Sequence, residues 1–151
     1  MQVTVVRAEE LSVGALTLAR AAGVATVLRR CGDELDVGRR SLGVRLTTDA
    51  ELRSLNARFL GVDAATDVLA FPADEPRHVG DIAISVERAA AQGDDAVAEL
   101  RLLAVHGLLH CLGHDHDEPA RAAVMTALTR RLLPAQAVPE LVVEAGTPRG
   151  R

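Results

Sequence analysis

The stretch HGLLHCLGHDH, residues 106–116, contains four of the five histidines of the chain. His106 and His110 are four residues apart, so on a helix their imidazoles lie on one face, close enough to share an ion. Gly113 lets the chain leave that helix and turn back, which carries His116 towards the same point. The spacing therefore predicts a metal site with three histidine ligands at the end of a helix.

The ligand type indicates which metal the site would hold. Three imidazole nitrogens leave a fourth position for water, and Zn²⁺ accepts such a site readily and lowers the pKa of the bound water to about 7. One Zn²⁺ ion is therefore expected, although nickel or manganese could occupy the same nitrogens. His114 is the rival third ligand, because in an unbroken helix it would continue the face of His106 and His110. The break at Gly113 favours His116.

Outwards from this stretch, hydrophobic periodicity, capping residues and turn residues predict the other elements. In the first half these are a strand around Val3 and Val5, a helix from about Leu11 to Arg30 closed by Gly32, a strand from Ser41 to Leu46, and a helix from Asp49 to about Phe59 with a capping box of Thr48 and Glu51 and a stop near Gly61. In the second half they are strands at 66–72 and 79–85, a short helix from Ser85 to Gly93, a long apolar helix from Asp94 or Asp95 to Gly113, and a last helix between Pro119 and Pro134.

This order of elements predicts the fold class. About four strands are interleaved with helices without regular β-α-β spacing, which is typical of an α+β fold in which a small mixed sheet packs with helices. The metal site would lie at the end of a central helix. We expect a single domain at residues 1–133 and a loose C-terminal tail at residues 134–151, which contain prolines and glycines and show little periodicity.

Composition limits the classes of function. The chain has 151 residues, 48% of them hydrophobic, which suits one compact domain. No apolar run reaches the roughly eighteen residues of a membrane span and the N-terminus does not resemble a signal peptide, so a cytoplasmic location without a membrane partner is expected. Cys31 and Cys111 are expected to be reduced. The net charge of −4 argues against a protein that coats nucleic acid, so a phosphate site would be a local groove of arginines.

A zinc metallopeptidase is one alternative, because the spacing HxxxHxxGxxH is also that of the metzincins. Their second residue is a glutamate that acts as general base, whereas here Gly107 occupies that position. General-base catalysis is typically worth roughly 10²–10⁴-fold, so peptide hydrolysis would lack a large contribution. Met125 falls inside the predicted last helix, which leaves no convincing Met-turn.

The same stretch resembles the H-G-x-L-H-L-x-G-Y-D-H signature of the YbeY family, bacterial metal-dependent endoribonucleases that act in ribosomal RNA maturation. Three further features agree in order and spacing. LNARFLGVDAATDVLAFP, residues 55–72, resembles the family segment that ends in T-D-V-L-S-F-P; VGDIAIS, residues 79–85, resembles the following G-D-I strand; and Glu99 stands where the family has an acid before the histidine helix. The resemblance covers about residues 40–133.

The resemblance implies a single-strand-specific, zinc-dependent endoribonuclease that acts in 16S rRNA 3′-end processing, ribosome maturation and quality control. It implies single-stranded RNA and ribosomal RNA precursor as substrates, and ribosomal proteins and an Era-type GTPase as partners, with no DNA. His106, His110 and His116 match the metal ligands of the family, and Thr66 and Asp67 match the strand that helps to form the cleft. A non-catalytic ribosome-assembly factor remains a second alternative.

The chain also departs from the family pattern. Ala70 replaces a serine, Cys111 a leucine and His114 a tyrosine. The functional arginine of the family commonly follows an aromatic residue, whereas here Phe59 is preceded by Arg58 and followed by Leu60. Either Arg58 takes over the role or the role is missing; an arginine there would neutralise charge that develops on the scissile phosphate.

Several polar residues are further candidates for the site. Asp115 could accept a proton or orient His116, although it could equally be a helix cap. Asp81 and Glu99 could accept the outer N–H of a ligand histidine; Glu99 shares a helix face with His106, two turns away, and Asp81 could instead bond to a nearby turn. The nucleophile would be hydroxide on the metal or the 2′-hydroxyl of the RNA.

Several arginines lie on or beside the second strand and on the helix after it. They could line a path for RNA, or they could form a solvated basic face. These are Arg39, Arg40, Arg45 and Arg53, with Arg58 at the end of the helix. Aromatic residues make up 1% of the chain, so base stacking is expected to contribute little. Recognition would then depend on phosphate and shape, and binding would weaken steeply with salt.

Overall fold

The computed structural model describes residues 1–92 and 94–143. Its strands are β1 Gln2–Arg7, β2 Ser41–Thr47, β3 Val68–Glu75 and β4 His78–Ser85. Its helices are α1 Val13–Ala22, α2 Val24–Glu34, α3 Asp49–Leu60, α4 Val86–Ala91, α5 Ala96–Cys111 and α6 Pro119–Leu132. The strands form one sheet in the order β1-β2-β4-β3, in which β1, β2 and β4 are parallel and β3 is antiparallel to β4. The predicted α+β fold with a four-stranded mixed sheet is confirmed.

The predicted helix from Leu11 to Arg30 is wrong in two respects. The chain forms two helices there, because Gly23 adopts a left-handed conformation with φ of 57° and ends α1. The second helix continues through Gly32, where a Cβ atom would lie 2.6 Å from Cβ of Met1. Gly32 therefore serves close packing inside α2, and the actual break is nine residues earlier.

Strand β3 begins two residues later than predicted and continues past Pro72. A proline lacks the N–H that a central strand would donate, but β3 is an edge strand, where the missing donor costs no ladder bond. The pairing with β4 becomes irregular between Pro72 and Glu75. The helix after β4 ends at Ala91, and its predicted end at Gly93 lies outside the described residues.

Helix α5 packs against one face of the sheet and α3 against the other. Ile82 of β4 is buried with the leucines of α5, whereas its neighbour Ala83 is buried with Leu52 of α3. The alternation follows the pleat, in which successive side chains point to opposite faces. At Gly107 an added Cβ would lie 2.9 Å from Cγ2 of Ile82, so α5 approaches β4 closely there. This contact holds the helix that carries two histidines against the sheet.

The C-terminal segment, defined here as residues 134–143, contains no helix or strand and yet is held by hydrogen bonds. The backbone N–H of Leu141 donates to Oγ1 of Thr126 at 3.1 Å, and the guanidinium of Arg130 donates to the carbonyl of Val138 at 3.1 Å. Residues 144–151 of the predicted tail lie outside the described residues, and the domain boundary at 133 stays a prediction. None of the described helices is long and apolar enough to span a bilayer.

Candidate metal centre

His106, His110 and His116 lie together as the spacing predicts. Nε2 of His106 and Nε2 of His110 are 3.0 Å apart, and the ring centroid of His116 lies 5.4 Å and 5.5 Å from the other two. One ring nitrogen from each residue lies within 4.8 Å of the others. Imidazole nitrogens at such mutual distances could hold a metal ion, since each would need to lie about 2 Å from it.

Local backbone geometry carries His116 back to the other two histidines. Helix α5 ends at Cys111, and Gly113 adopts φ of 94°. The N–H of Gly113 donates to the carbonyl of His110, and the N–H of His114 donates to the carbonyl of Leu109, both at 3.0 Å. This is the Schellman pattern of hydrogen bonds at a helix C-terminus. The reversal after Gly113 allows a residue beyond the helix to complete the group.

The hydrogen bonding of His116 fits a metal ligand. Nδ1 of its ring lies 3.0 Å from the carbonyl oxygen of Val142, and because a carbonyl only accepts, Nδ1 carries the proton. In the neutral ring Nε2 then keeps a lone pair, and this atom is buried without a hydrogen-bond partner in the described part of the chain. Metal-binding histidines usually donate their other N–H to a carboxylate or a backbone carbonyl in this way.

His114, the rival third ligand, is not in the three-histidine group. It lines a separate shallow pocket with Asp115 and Arg121. Burial, and to a smaller extent the positive charge of Arg121, lower the pKa of the His114 imidazole. The break at Gly113 thus separates His114 from the three-histidine group.

Asp115 is adjacent to His116 in the chain and lines the same shallow pocket as His114. Its Oδ1 accepts a hydrogen bond from the backbone N–H of His116 at 2.8 Å. This contact fixes the backbone at His116, which agrees with an orienting role. The alternative role of Asp115 as proton acceptor stays a prediction.

A cavity of about 260 Å³ lies next to the histidines, between α5, α6 and the C-terminal segment. His106, His116, Glu99 and Asp67 all contribute to its lining. Burial raises the pKa of the Glu99 carboxyl group, and the negative charge of Asp67 raises it further. The structure thus brings Glu99 and Asp67 to the candidate site, while Thr66 donates its hydroxyl to the carbonyl of Val68 at 3.3 Å.

The side chain of Asp81 lies on the face of the sheet opposite to the three histidines. Because Ile82 faces α5, the preceding residue points to the opposite face of the sheet. There the Asp81 carboxylate is 3.2 Å from Nε2 of His78, and its side chain is exposed. The backbone carbonyl of Asp81, in contrast, faces the Cys111 thiol. The side chain therefore does not contact the three histidines, and its partner His78 is a residue of the same strand rather than of a turn.

Two of the five arginines predicted to contact RNA are held in ion pairs. Arg45 forms an ion pair with Glu51, and Arg53 forms one with Asp63 at 2.8 Å. Arg40 donates hydrogen bonds to the carbonyls of Glu75 and His78. The guanidinium carbon of Arg58 lies 5.3 Å from the ring centroid of Phe59. Arg39 is exposed. Arg58 is exposed on α3 and does not line the histidine cavity. An RNA path along these residues stays a prediction.

Sequence reasoning missed one group of the site, the backbone carbonyl of Val142. It lies 26 residues after His116, in a segment that the sequence analysis expects to be loose. A backbone acceptor is present at every residue, so nothing in the side-chain pattern could have marked this position.

Comparison with known proteins agrees with this geometry. The family model described as Endoribonuclease YbeY matches residues 12–136. A protein of Chloroflexus aurantiacus named Endoribonuclease YbeY is 49% identical over an alignment of 100 residues, with 56% of this chain and 65% of that protein covered. One of Rhodopseudomonas palustris with the same name is 38% identical over 120 residues, 71% of either chain. One of Gloeobacter violaceus is 50% identical over 106 residues, and the chain spans 55% of it.

A solved structure shares the fold. The solution structure of a Thermotoga maritima protein superimposes with a TM-score of 0.57 and 23% sequence identity, over 88% of this chain and 90% of that one. At this identity the likeness bears on the fold alone.

Proposed function

Because the chain belongs to the YbeY family, we propose that it is an endoribonuclease, a hydrolase that cleaves phosphodiester bonds within RNA. The observation that carries the proposal is the group of His106, His110 and His116, the last two of them buried, beside an open cavity. The family name of relatives at 38–50% identity supports the same activity.

The three histidines would hold one Zn²⁺ ion. Support comes from the all-imidazole ligand set and from Nε2 of His116, a buried acceptor whose cost without a partner is about 1–3 kcal/mol. When bound, zinc supplies a Lewis acid and lowers the pKa of a water molecule that it holds. Because Nδ1–H of His116 donates a hydrogen bond to the carbonyl of Val142, the lone pair of Nε2 is the one available to the metal.

The chain's own acidic groups explain why a cation matters to RNA binding here. Asp67, Glu99 and Glu140 line the cavity, and ionised carboxylates would repel a phosphate group. The nearby positive charge of a divalent cation at the histidines would offset this repulsion. Burial and the negative charge of Asp67 raise the pKa of the Glu99 carboxyl group, which lines the same cavity as His106 and His116.

The remaining roles rest on the resemblance of the motifs. They are cleavage of single-stranded RNA in 16S rRNA 3′-end processing and ribosome quality control, a cytoplasmic location, and ribosomal proteins and an Era-type GTPase as partners. Either Arg58 would neutralise charge on the scissile phosphate or that role is missing from this chain, and Asp115 would keep His116 in place for the reaction.

Incubation of the zinc-loaded protein with labelled single-stranded RNA, duplex RNA and a peptide pool tests the function. We expect cleavage of single-stranded RNA by the unaltered protein and its loss in His110→Ala. His114→Ala is the matched control, because it removes a neighbouring imidazole outside the group and should leave cleavage intact. Products that end in 2′,3′-cyclic phosphate would identify the 2′-hydroxyl as nucleophile.

Two outcomes would contradict the proposal. Cleavage of peptides with intact RNA would indicate a zinc metallopeptidase, and binding to precursor ribosomal particles without any cleavage would indicate a ribosome-assembly factor. Cleavage that persists in His110→Ala would point to a contaminating nuclease.

A further inference from the structure

The chain contains two phenylalanines and no tyrosine or tryptophan, and the fold places both phenylalanines side by side. The rings of Phe59 and Phe71 pack edge to face, with centroids 5.7 Å apart and an angle of 69° between planes. Phe59 is 57% exposed, among the most exposed large apolar residues of the described chain. The contact places both phenylalanine rings at one point of the surface.

Arg58 adds a positive charge to this pair. Its guanidinium carbon lies 5.3 Å from the centroid of Phe59, within the range of a cation–π contact. No ion pair holds Arg58 within the described residues, in contrast to Arg45 and Arg53 of the same region. We call Arg58, Phe59 and Phe71 the aromatic platform.

Core packing and a helix end hold the backbone of the platform in place. Phe71 packs against the small core under α3, in which Leu52 and Leu69 are almost fully buried. Helix α3 ends directly after Phe59 and Leu60, at Gly61, which adopts φ of 69° and closes the helix with two backbone hydrogen bonds. These contacts fix the backbone on both sides, so an incoming ligand would meet rings that are already in place.

The platform is connected to the candidate metal centre through β3. Asp67, which lines the histidine cavity, directly precedes β3, the edge strand that contains Phe71. The platform lies on the α3 side of the sheet and the cavity on the α5 side, so an RNA strand that contacts both would pass around the edge formed by β3.

We propose that the aromatic platform binds an unpaired base of the RNA strand by stacking. The proposal rests on the proposed endoribonuclease function and adds a base-binding subsite to it. Every base offers a π face to an aromatic ring or a guanidinium plane, so the contact selects unpaired nucleotides without selecting sequence. The low aromatic content predicted little stacking, but two rings at one place suffice for one base.

The substitution Phe59→Trp tests the stacking directly, because it introduces the single tryptophan of the chain. We expect single-stranded RNA to quench its fluorescence and a fully abasic strand of the same length to leave it unchanged. Val13→Trp, at a position 81% exposed on α1, is the matched control and should respond to neither strand. Quenching by both strands, or by neither, would overturn the proposal.

A second variant keeps the surface apolar but removes the ring. For Phe59→Leu we expect the KM for single-stranded RNA to rise about tenfold with kcat unchanged, since stacking on one base is typically worth about 1–3 kcal/mol. Thermal unfolding should show an intact fold. An unchanged KM would overturn the platform alone, whereas absence of RNA cleavage by the unaltered protein would overturn the proposed function; the tryptophan quench still decides the platform in that case.

Discussion

His116 shows how much the candidate centre depends on single atoms. Its Nδ1–H donates a hydrogen bond to the carbonyl of Val142, which leaves Nε2 as an acceptor in a buried position. A buried acceptor without a partner destabilises the folded state, and a bound cation would remove that cost. The same bond selects the tautomer that a metal requires. Stability and metal affinity are thus coupled at this residue.

Glu99 should make stability depend on pH. Burial and the negative charge of Asp67 raise the pKa of its carboxyl group, so the folded state retains the proton at a pH where the unfolded chain has lost it. The contribution is fully present below the unfolded pKa of about 4.3 and is lost as pH rises through the folded pKa. Glu99→Gln cannot ionise, and we expect its stability relative to the unaltered protein to increase over that rise.

Urea unfolding of the metal-free proteins, measured from about pH 4 to pH 8, checks the sign. Equal pH dependence in both proteins would show that Glu99 ionises in the folded state as easily as in the unfolded one.

Both cysteines should be poor nucleophiles in the folded protein. Burial, as the largest cause, raises the pKa of Cys31 to about 11 and that of Cys111 to about 12. At pH 8 on the order of one thiol in 10³ or fewer would be ionised, and the thiolate is the reactive form. We expect a thiol reagent to modify neither residue quickly until urea is added; rapid reaction of either one under native conditions would contradict the buried placement.

At this scale the sequence predicts His106 and His110 from their spacing and His116 from the glycine break. The sequence does not predict the pairing of Asp81 with His78. This pairing depends on the face of the sheet to which each side chain of β4 points. Arg58 and Phe59 are adjacent in the chain, but their meeting with Phe71 required α3 to pack on β3.

Among the elements, α5 depends on a close approach to β4. A Cβ at Gly107 would lie 2.9 Å from Cγ2 of Ile82, so Gly107→Ala should overpack this contact and destabilise the protein by about 1–3 kcal/mol. Gly14→Ala is the control, because a Cβ there meets only Oγ of Ser12 at 3.9 Å, and alanine in an exposed helix should be neutral or stabilising by about 0.5–1 kcal/mol.

Thermal or urea unfolding of the two variants measures the difference. If Gly107→Ala were as stable as Gly14→Ala, the spacing between α5 and β4 would be looser than described. The same contact explains why a glutamate at this position, as in the metzincins, has no room: its Cβ would point at Ile82 rather than into the cavity.

The C-terminal segment should matter for metal affinity through its bond to His116. Thr126 and Thr129 are both buried in α6, line the cavity and donate to the carbonyl four residues before. Only Thr126 also accepts from the N–H of Leu141, next to Val142. We therefore expect Thr126→Val to weaken zinc binding about tenfold, as the loss of an outer hydrogen bond to a ligand commonly does, and Thr129→Val to leave it unchanged.

Competition with a chromogenic chelator measures the zinc affinity of the two valine variants. Thr126→Ser should bind zinc as the unaltered protein does, because serine keeps the hydroxyl oxygen that accepts from the N–H of Leu141. A Thr126→Val protein with unaltered affinity would show that the segment does not position His116.

Local chemistry predicts some elements well. Thr48, Ser85 and Asp95 accept the cap hydrogen bonds of α3, α4 and α5, and each is identifiable from its residue type and spacing. The division of α1 from α2 was not predictable in this way, because a glycine that ends a helix and one that packs inside it look alike in sequence.

For the whole molecule, the cavity depends on contacts between distant parts of the chain. The walls of the cavity come from α5, from α6 and from residues 138–142. The end of α6 is in turn held by Arg30 of α2, which donates a hydrogen bond to the carbonyl of Leu132, 102 residues later in the chain. The sequence predicts the sheet class and the helix order, since these follow from periodicity. It does not predict which segments enclose the cavity, because such contacts leave no pattern in either partner alone.

The molecule as a whole is acidic, with a net charge of −4, and its cavity has acidic walls. RNA would therefore approach against a repulsive field unless positive charge is concentrated at the site. The cation that the three histidines would hold is thus central to the proposed function, both for chemistry and for binding.

Zinc stoichiometry tests this central claim most directly. The purified protein is stripped with a chelator, refilled with zinc, desalted and measured by elemental analysis, beside His116→Ala and His114→Ala. We predict one zinc ion per chain for the unaltered protein and for His114→Ala, and its loss in His116→Ala. Absence of stoichiometric zinc in the unaltered protein, or its retention in His116→Ala with loss in His114→Ala, would contradict the three-histidine centre.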